Sequence, residues 1–272
     1  MIECLKKWQV DPKKRFFLAR LGFYVYKIGN KLHQFSGHIL RFLNESTTDD
    51  QTDWFQRERQ SLHRHIQKIL YRQKKEYENY AYFHGYPYQG LAIAGVYGER
   101  STEERFETYQ LKKFFGAQDT ILDIGCNCGF VGIYTAFRLS CHVTGLDINP
   151  YMIEIGQQTA RYLRILDNVH LMAQSFHDFK TETHYSGVFS FATHWTDDEK
   201  YRVPLEEHLK RIHSLLKKEG ILIFESHCND VGQESFYQSL EKAKEFFDVQ
   251  FLTHSDNKSR EVYVMRRKEM TV

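Results

Sequence analysis

Short apolar runs and helix-spaced apolar positions alternate along the chain from about residue 120 onward. A short apolar run is typical of a buried strand, and apolar residues at steps of three and four are typical of a helix packed on one side. The predicted strands cover residues 121–124, 142–146, 169–174, 187–192, 220–226, 249–253 and 261–266, and the predicted helices between them cover 130–139, 151–166, 205–216 and 235–247. This order predicts an α/β fold with a doubly wound, seven-stranded, mostly parallel sheet.

The first 96 residues follow a different pattern, which predicts a helical N-terminal extension. Apolar residues at steps of three and four between residues 17 and 42 indicate one long amphipathic helix. The polar segment 44–53 is interpreted as a linker, and a tyrosine-rich segment ends the extension. Between them a second helix is predicted from Trp54 to about Tyr80, with an apolar stripe of Leu62, Ile66, Ile69 and Leu70. We therefore predict two domains, residues 1–96 and residues 97–272.

Positive charge is concentrated in the first predicted helix. Residues 1–44 carry nine Lys and Arg against Glu3 and Asp11, a net charge of +7, which leaves −5 for the rest of a chain whose total is +2. A basic amphipathic helix suits packing on the α/β domain or in a homodimer, contact with an anionic membrane surface, or binding of nucleic-acid phosphates. Because the remainder is acidic, nucleic acid is the least favoured of these partners.

Composition favours a cytoplasmic protein without a metal site. Lys and Arg interrupt the first 30 residues, and no apolar run of 18 residues is long enough to span a membrane. The five cysteines include no CxxC pair for zinc, so we expect reduced thiols. Peripheral contact with the inner membrane surface through residues 1–44 is the alternative location.

The segment 121–129, ILDIGCNCG, carries the clearest chemical signal. It joins a buried strand to a helix through Gly125 and Gly129, which is typical of a turn where backbone approaches a nucleotide-like ligand. A P-loop would need Lys and Ser or Thr after the second glycine, and a dinucleotide turn would need GxGxxG; neither is present. Asp123 is poorly placed for a pyrophosphate and well placed to accept from an ammonium group.

Asp147 ends the next predicted strand, 18 residues after Gly129. An acidic residue at this distance binds the ribose hydroxyls in nucleotide-binding α/β units, because a carboxylate accepts two hydroxyl hydrogen bonds. The alternative is that Asp147 caps a helix or forms a turn, since Asn149 and Pro150 follow.

With these residues, the chain resembles the class I S-adenosylmethionine-dependent methyltransferases over roughly residues 100–268. The resemblance implies S-adenosylmethionine as cofactor and one antiparallel strand in the closing strand pair. It implies that Arg100 or Arg105 binds the cofactor's carboxylate and that Ser175 and Phe176 lie at the adenine. The alternative for the two arginines is that residues 101–104 cap a helix and the arginines lie on the surface. The full set of cofactor residues expected from it is Arg100, Asp123, Gly125, Asn127, Gly129, Asp147, Ile148, Ser175, Phe176 and Ala192. Tyr82, Tyr88, Tyr97 and Trp195 are expected to line the acceptor pocket.

Two histidines are the candidate catalytic residues. His194 follows the fourth predicted strand and His227 follows the fifth, and both strand ends border the cofactor crevice. Imidazole can accept the proton that a hydroxyl or ammonium acceptor must lose, although either ring can instead fix loop geometry. Residues 192–195 read ATHW in place of the Asn/Asp-Pro-Pro-Tyr of related amino-methyltransferases, which argues against DNA adenine or glutamine as acceptor.

The acceptor is the open question. The flanking phrases GERSTEER, THWTDD and ESH are similar to those of bacterial methyltransferases that act on small molecules or surface glycans. We therefore predict methyl transfer to a hydroxyl of a small molecule or lipid-linked glycan. A tRNA-modifying enzyme that uses the basic arm, and a non-catalytic scaffold that binds the cofactor, are the alternatives.

Overall fold

A computed structural model of the protein describes residues 49–76, 87–195, 203–255 and 259–269, and the side chains of residues 49–55 and of Trp195 are not part of that description. The predicted helix between residues 17 and 42 and the pocket residue Tyr82 lie outside the described residues. From Phe55 onward the chain forms one compact unit, which joins the second half of the predicted extension to the α/β domain. The predicted boundary between residues 96 and 97 stays a prediction.

A seven-stranded sheet is the centre of this unit. Its strands are β3 (Thr120–Ile124), β4 (His142–Asp147), β5 (Val169–Ala173), β6 (Tyr185–Phe191), β7 (Leu216–Glu225), β8 (Phe247–His254) and β9 (Glu261–Arg267). Their order is β5-β4-β3-β6-β7-β9-β8, and β9 pairs antiparallel with both β7 and β8. The predicted mostly parallel sheet with one antiparallel member is confirmed.

Helices cover both faces of the sheet. They are α1 (Asp49–Glu76), α2 (Thr102–Thr108), α3 (Leu111–Phe114), α4 (Phe130–Leu139), α5 (Pro150–Tyr162), α6 (Leu205–Leu215) and α7 (Glu234–Ala243). One core contains residues of α1, α2, α4 and α5, and a second core contains residues of α6 and α7. Two short strands, β1 (Gln89–Gly90) and β2 (Arg100–Ser101), pair with each other and precede α2 in the sequence.

The α1 stripe lies in the first core. Leu62, Ile66, Ile69 and Leu70 are all buried, as their helical spacing predicts. The helix begins at Asp49 and not at the predicted Trp54, so part of the predicted linker 44–53 is helical. Acidic residues suit the first turn of a helix as well as a loop. Within the described ranges, no helix is both long and apolar enough to cross a bilayer.

The order of the sheet determines where a ligand can bind. Strands β3 and β6 are neighbours, but β3 continues to β4 on one side and β6 continues to β7 on the other. At such a reversal, loops leave the carboxyl ends of adjacent strands in opposite directions and open a crevice. The candidate residues at the ends of β3, β4, β6 and β7 therefore share one edge of the sheet.

Candidate functional site

The loop after β3 adopts the tight geometry that its glycines predict. Gly125 (φ 61°) and Gly129 (φ 67°) are both left-handed. A Cβ atom on Gly125 would lie 2.5 Å from Cγ2 of Thr193, so this position has no room for a side chain. The N–H of Phe130, in the first turn of α4, donates to Oε1 of Gln89 at 3.1 Å. The segment before β2 therefore contacts the loop, a contact that the sequence did not indicate.

Asp147 links the second strand to this loop. Its Oδ2 accepts the N–H of Asn127 at 2.7 Å, and its Oδ1 accepts the N–H of Asn149 at 2.9 Å. Burial raises the pKa of the Asp147 carboxyl, and the same two N–H groups oppose this rise. Asp147 does not cap α5, because Asn149 is the N-cap and accepts from Tyr151 and Met152. The bond from the N–H of Asn149 to Oδ1 of Asp147 is instead a turn contact, which was the other part of that alternative. Each Asp147 oxygen keeps a lone pair for a hydroxyl group.

Asn127 contributes a polar atom to the same place. Its backbone is left-handed (φ 56°), and its buried Oδ1 has no hydrogen-bond partner among the described residues. A buried acceptor of this kind is costly unless a ligand or water donates to it. Ile148, the residue after Asp147, is 41% exposed and offers an apolar side chain for a ring to cover. Together these residues fit a nucleoside-like ligand.

Asp123 is the fourth residue of β3 and stands two residues before Gly125. Its carboxylate is 3% exposed and accepts the N–H of Gly132 in α4. Burial raises the pKa of Asp123 to about 7, although Arg105 opposes this rise. The predicted contact of Asp123 with an ammonium group stays a prediction.

Ser175 and Phe176 follow β5, as expected. The Ser175 hydroxyl accepts the N–H of His177 at 3.0 Å, and the Phe176 ring packs edge-on against His208. The guanidinium of Arg211 lies 4.5 Å from the Phe176 ring centre, so one face of the ring is covered by the protein. Contact of these two residues with an adenine ring stays a prediction.

Arg100 binds a protein carboxylate in this structure. Its Nη1 donates to Oε1 of Glu225, the last residue of β7, at 2.7 Å. Arg260 also donates to Oε1, at 2.8 Å, while Arg105 (3.0 Å) and the Tyr109 hydroxyl donate to Oε2. The arginines hold the pKa of Glu225 far below its usual range despite burial, and burial raises the pKa of Tyr109 to about 12. The predicted contact of Arg100 with a ligand carboxylate stays a prediction.

Both candidate histidines donate a hydrogen bond to Asp230, a residue that was not among the predicted site residues. Nε2–H of His194 donates to Oδ2 of Asp230 at 2.9 Å, and the same oxygen accepts the backbone N–H of His227 at 2.6 Å. The side chains of His194 and Asp230 are only 5% and 7% exposed. Nδ1 of the His227 ring accepts the N–H of Asn229 at 3.1 Å, which ties that ring to its own loop. Of the two candidate histidines, His194 is therefore the one whose ring is oriented by a buried carboxylate, and His227 helps to place Asp230. The catalytic role of either ring stays a prediction.

A cavity of about 740 Å³ reaches this pair. Its lining comes from the loop after β7 and from the first residues of α6 and α7, and it includes His194, Cys228, Asn229, Asp230, Gln233 and Ser239. A volume of this size suits a small molecule or one unit of a larger one.

A buried polar network lies at the end of β6, just before His194 in the sequence. The hydroxyls of Ser190 and Thr193 lie 2.8 Å apart, and Ser190 Oγ lies 3.0 Å from Nε2 of His208. Burial lowers the pKa of His208 to about 3, so this ring is neutral. Ala192 has the left-handed φ of 62° and donates its N–H to the Glu225 carbonyl at 2.8 Å. Strain at a non-glycine residue of this kind is typical of functional loops.

The remaining predicted pocket residues are only partly placed. Tyr88 is half-buried, and its carbonyl accepts the N–H groups of Glu99 and Arg100. Tyr97 is 45% exposed, and the side chain of Trp195, like all of Tyr82, lies outside the described residues. The acceptor contacts of these four residues stay predictions.

Comparison with known proteins agrees with this geometry. A family model described as a methyltransferase domain matches residues 116–269, which is more than half of the chain. A protein of Geobacillus sp. (strain WCH70) that is named as a methyltransferase is 28% identical over 156 residues, 56% of this chain and 57% of the relative. The pavine N-methyltransferase of Thalictrum flavum subsp. glaucum is 28% identical over 113 residues, 41% of this chain and 30% of the relative. The chain therefore spans less than two thirds of the length of either relative.

One solved structure shows the same fold. It is described as a class I S-adenosylmethionine-dependent methyltransferase from Listeria monocytogenes, and it superposes with a TM-score of 0.50 at 15% identity. The match covers 63% of this chain and 61% of that one.

Proposed function

The chain belongs to the methyltransferase-domain family, with the class I, S-adenosylmethionine-dependent fold, and we propose that it methylates a hydroxyl group of a small molecule or glycan. The observation that carries the hydroxyl assignment is the hydrogen bond of 2.9 Å between His194 and Asp230. His194 directly follows Thr193, whose side chain packs against Gly125 of the cofactor loop. An oriented imidazole beside the cofactor loop is what deprotonation of a hydroxyl requires.

The residues of the loop fit S-adenosylmethionine, which supplies an electrophilic methyl group when it is bound. Asp147 would accept from the ribose hydroxyls, and Oδ1 of Asn127 would receive a donor that it lacks in the described part of the chain. Gly125 and Gly129 leave the backbone open for close approach. Ile148 offers an exposed apolar side chain for the adenine ring.

His194 would take the proton of the acceptor. Because its Nε2–H is donated to Asp230, the imidazole is held as the tautomer whose Nδ1 carries no hydrogen. Nδ1 is itself buried, so the acceptor hydroxyl would have to enter the cavity that His194 lines in order to reach it. In the reaction the hydroxyl oxygen forms its bond to the methyl carbon, the sulfur–methyl bond breaks, and the hydroxyl proton passes to Nδ1. Asp230 stabilises the resulting imidazolium, as an oriented carboxylate does beside other catalytic histidines. Holding acceptor and methyl group in line would supply most of the remaining acceleration.

Label transfer tests this assignment. Tritiated S-adenosylmethionine is incubated with fractionated lysate and with wild-type protein, His194→Gln, Asp230→Asn or the control His142→Gln, whose side chain is exposed at the start of β4. We expect His194→Gln to lower the transfer rate about 100-fold or more while affinity for S-adenosylhomocysteine is unchanged. We expect Asp230→Asn to have a smaller effect and the control to have none. A rate for His194→Gln within about threefold of wild type, with intact cofactor binding, removes His194 as the base.

Contact with an anionic membrane through residues 1–44 is our proposal for the partner, with a homodimer through the same residues as the alternative. The charge of +7 in that segment supports it. The described part of α1 also carries exposed basic side chains, which are Arg57, Arg64, Lys68, Lys74 and Lys75. Flotation with anionic and neutral liposomes, using the full chain and a chain that starts at Trp54, tests it. Equal recovery of both chains on anionic liposomes removes the proposal.

A further inference from the structure

We propose that Glu261 is a positioning residue, which fixes both ends of the loop that holds Asp230 against His194. This loop, residues 226–233, joins β7 to α7, and we call it the Asp230 loop. The effect of Glu261 on the reaction rate rests on the proposed methyl transfer. Glu261 itself is not among the residues that line the acceptor cavity.

The backbone of Glu261 fixes the start of the Asp230 loop. Glu261 is the first residue of β9, and its carbonyl accepts the N–H of Ser226 at 2.8 Å. Its own N–H donates to Oγ of Ser226 at 2.9 Å. Ser226 is fully buried, so water does not compete for these two bonds. The first residue of the loop is therefore attached to the sheet.

The side chain of Glu261 fixes the other end of the loop through Tyr237 of α7. The Tyr237 hydroxyl donates to Oε1 of Glu261 at 3.1 Å and accepts the N–H of Gly232 at 3.3 Å. Gly232 has a left-handed φ of 84°, and a Cβ there would meet no atom of the described residues within 4 Å. Because packing does not hold Gly232, its position depends on hydrogen bonds, and the Tyr237 hydroxyl supplies one of them.

Tyr263 orients the carboxylate of Glu261. The two residues stand two positions apart on β9, so their side chains lie on the same face of the sheet. The Tyr263 hydroxyl donates to Oε2 of Glu261 at 2.5 Å. Burial and this bond to Glu261 raise the pKa of Tyr263, so the hydroxyl keeps its proton at neutral pH. With Oε2 bound to Tyr263, Oε1 is the oxygen that faces Tyr237.

Asp230 lies between the two attached ends of the loop. Its N–H donates to the carbonyl of His227 at 3.0 Å, and its carbonyl accepts the N–H of Gln233 at 2.9 Å. These successive turns transmit a shift of Gly232 to the Asp230 carboxylate, which accepts from His194 at 2.9 Å. A misplacement of about 1 Å can lower a catalytic rate about 100-fold. Glu261 would therefore affect transfer without contact with the acceptor.

Tyr237→Phe is the variant that tests the proposal. It removes the hydroxyl and keeps the ring that packs edge-on against Phe236, and Tyr237 is 36% exposed, so the variant should fold. Glu261→Gln is the second variant, because the NH₂ group of an amide cannot accept a hydrogen bond and one tyrosine then loses its acceptor. Tyr71→Phe is the control, since Tyr71 is 70% exposed on α1.

The first measurement is the proton NMR spectrum of the full chain with S-adenosylhomocysteine. A buried imidazole N–H bonded to a carboxylate exchanges slowly with water and gives a downfield resonance, which is assigned to His194 by its absence from His194→Gln. We expect this resonance in wild type and Tyr71→Phe. In Tyr237→Phe and Glu261→Gln we expect it to disappear or to exchange about tenfold faster or more.

The second measurement is methyl transfer from labelled S-adenosylmethionine to fractionated lysate. We expect Tyr237→Phe and Glu261→Gln to lower the rate about tenfold, with unchanged affinity for S-adenosylhomocysteine. A His194 resonance that exchanges as slowly in Tyr237→Phe as in wild type overturns the proposal, and so does its absence from wild type or its loss in Tyr71→Phe. If Tyr237→Phe loses the resonance but His194→Gln transfers methyl at the wild-type rate, the positioning by Glu261 stands and only the proposed hydroxyl chemistry fails.

Discussion

Gly125→Ala is the substitution whose effect follows most directly from the geometry of the cofactor loop. The backbone at Gly125 is left-handed (φ 61°), which costs a residue with a Cβ about 1–2 kcal/mol. The new Cβ would also lie 2.5 Å from Cγ2 of Thr193, whose hydroxyl lies 2.8 Å from Ser190 Oγ. Overpacking of this kind costs about 1–3 kcal/mol. We expect a loss of about 2–5 kcal/mol in the free energy of unfolding, or a displaced loop with weaker cofactor binding.

Urea unfolding and calorimetric titration with S-adenosylhomocysteine measure the two effects. Thr193→Ser removes Cγ2 and keeps the hydroxyl, so Gly125→Ala combined with Thr193→Ser should recover the overpacking part and retain the backbone part. Gly116→Ala is the control, because a Cβ at that glycine would meet no atom within 4 Å. The reasoning is refuted if the free energies of unfolding and of cofactor binding of Gly125→Ala both lie within about 0.5 kcal/mol of wild type. It is also refuted if the double variant is no more stable than Gly125→Ala alone.

Two further predictions concern protonation. The pKa of His208 is about 3 in the folded protein and about 6.5 when unfolded, so its contribution to stability is complete above pH 6.5 and is lost as the pH falls toward 3. Between pH 7 and 5.5, the free energy of unfolding in urea should therefore fall by about 1 kcal/mol more for wild type than for His208→Asn. Equal losses in the two proteins would contradict a buried neutral ring. Asp123 has a pKa of about 7, so an ammonium placed on it should release about half a proton at pH 7. Calorimetry of S-adenosylhomocysteine in two buffers of different ionisation enthalpy measures this release. The same release with 5′-methylthioadenosine, which has no ammonium, would show that Asp123 is not its partner.

Local sequence determined the sheet and the cofactor loop well. The buried strands have continuous apolar runs, and Gly125 and Gly129 stand where a left-handed backbone is needed, so both could be predicted without contacts between distant residues. Asp147 was predicted from its distance to the loop, and Asn149 explains why Asp147 remains available for a ligand.

The contacts that depend on tertiary structure could not be predicted in the same way. Glu225 gathers arginines from positions 100, 105 and 260, and no local pattern relates those positions. Asp230 stands three residues after His227 in a polar loop, and only the fold brings it to His194. A buried acidic residue at the end of an apolar strand, as in ILIFES, was the available signal for Glu225.

The position of the transferred methyl group tests the central claim most directly. The full chain is incubated with S-adenosylmethionine that carries a deuterated methyl group and with fractionated bacterial lysate, and the labelled product is identified by mass spectrometry and NMR. The account predicts a deuterated methyl ether, formed by wild type and not by Asp147→Ala. A label on nitrogen or carbon, or no transfer to any fraction by a protein that binds S-adenosylhomocysteine, would contradict it.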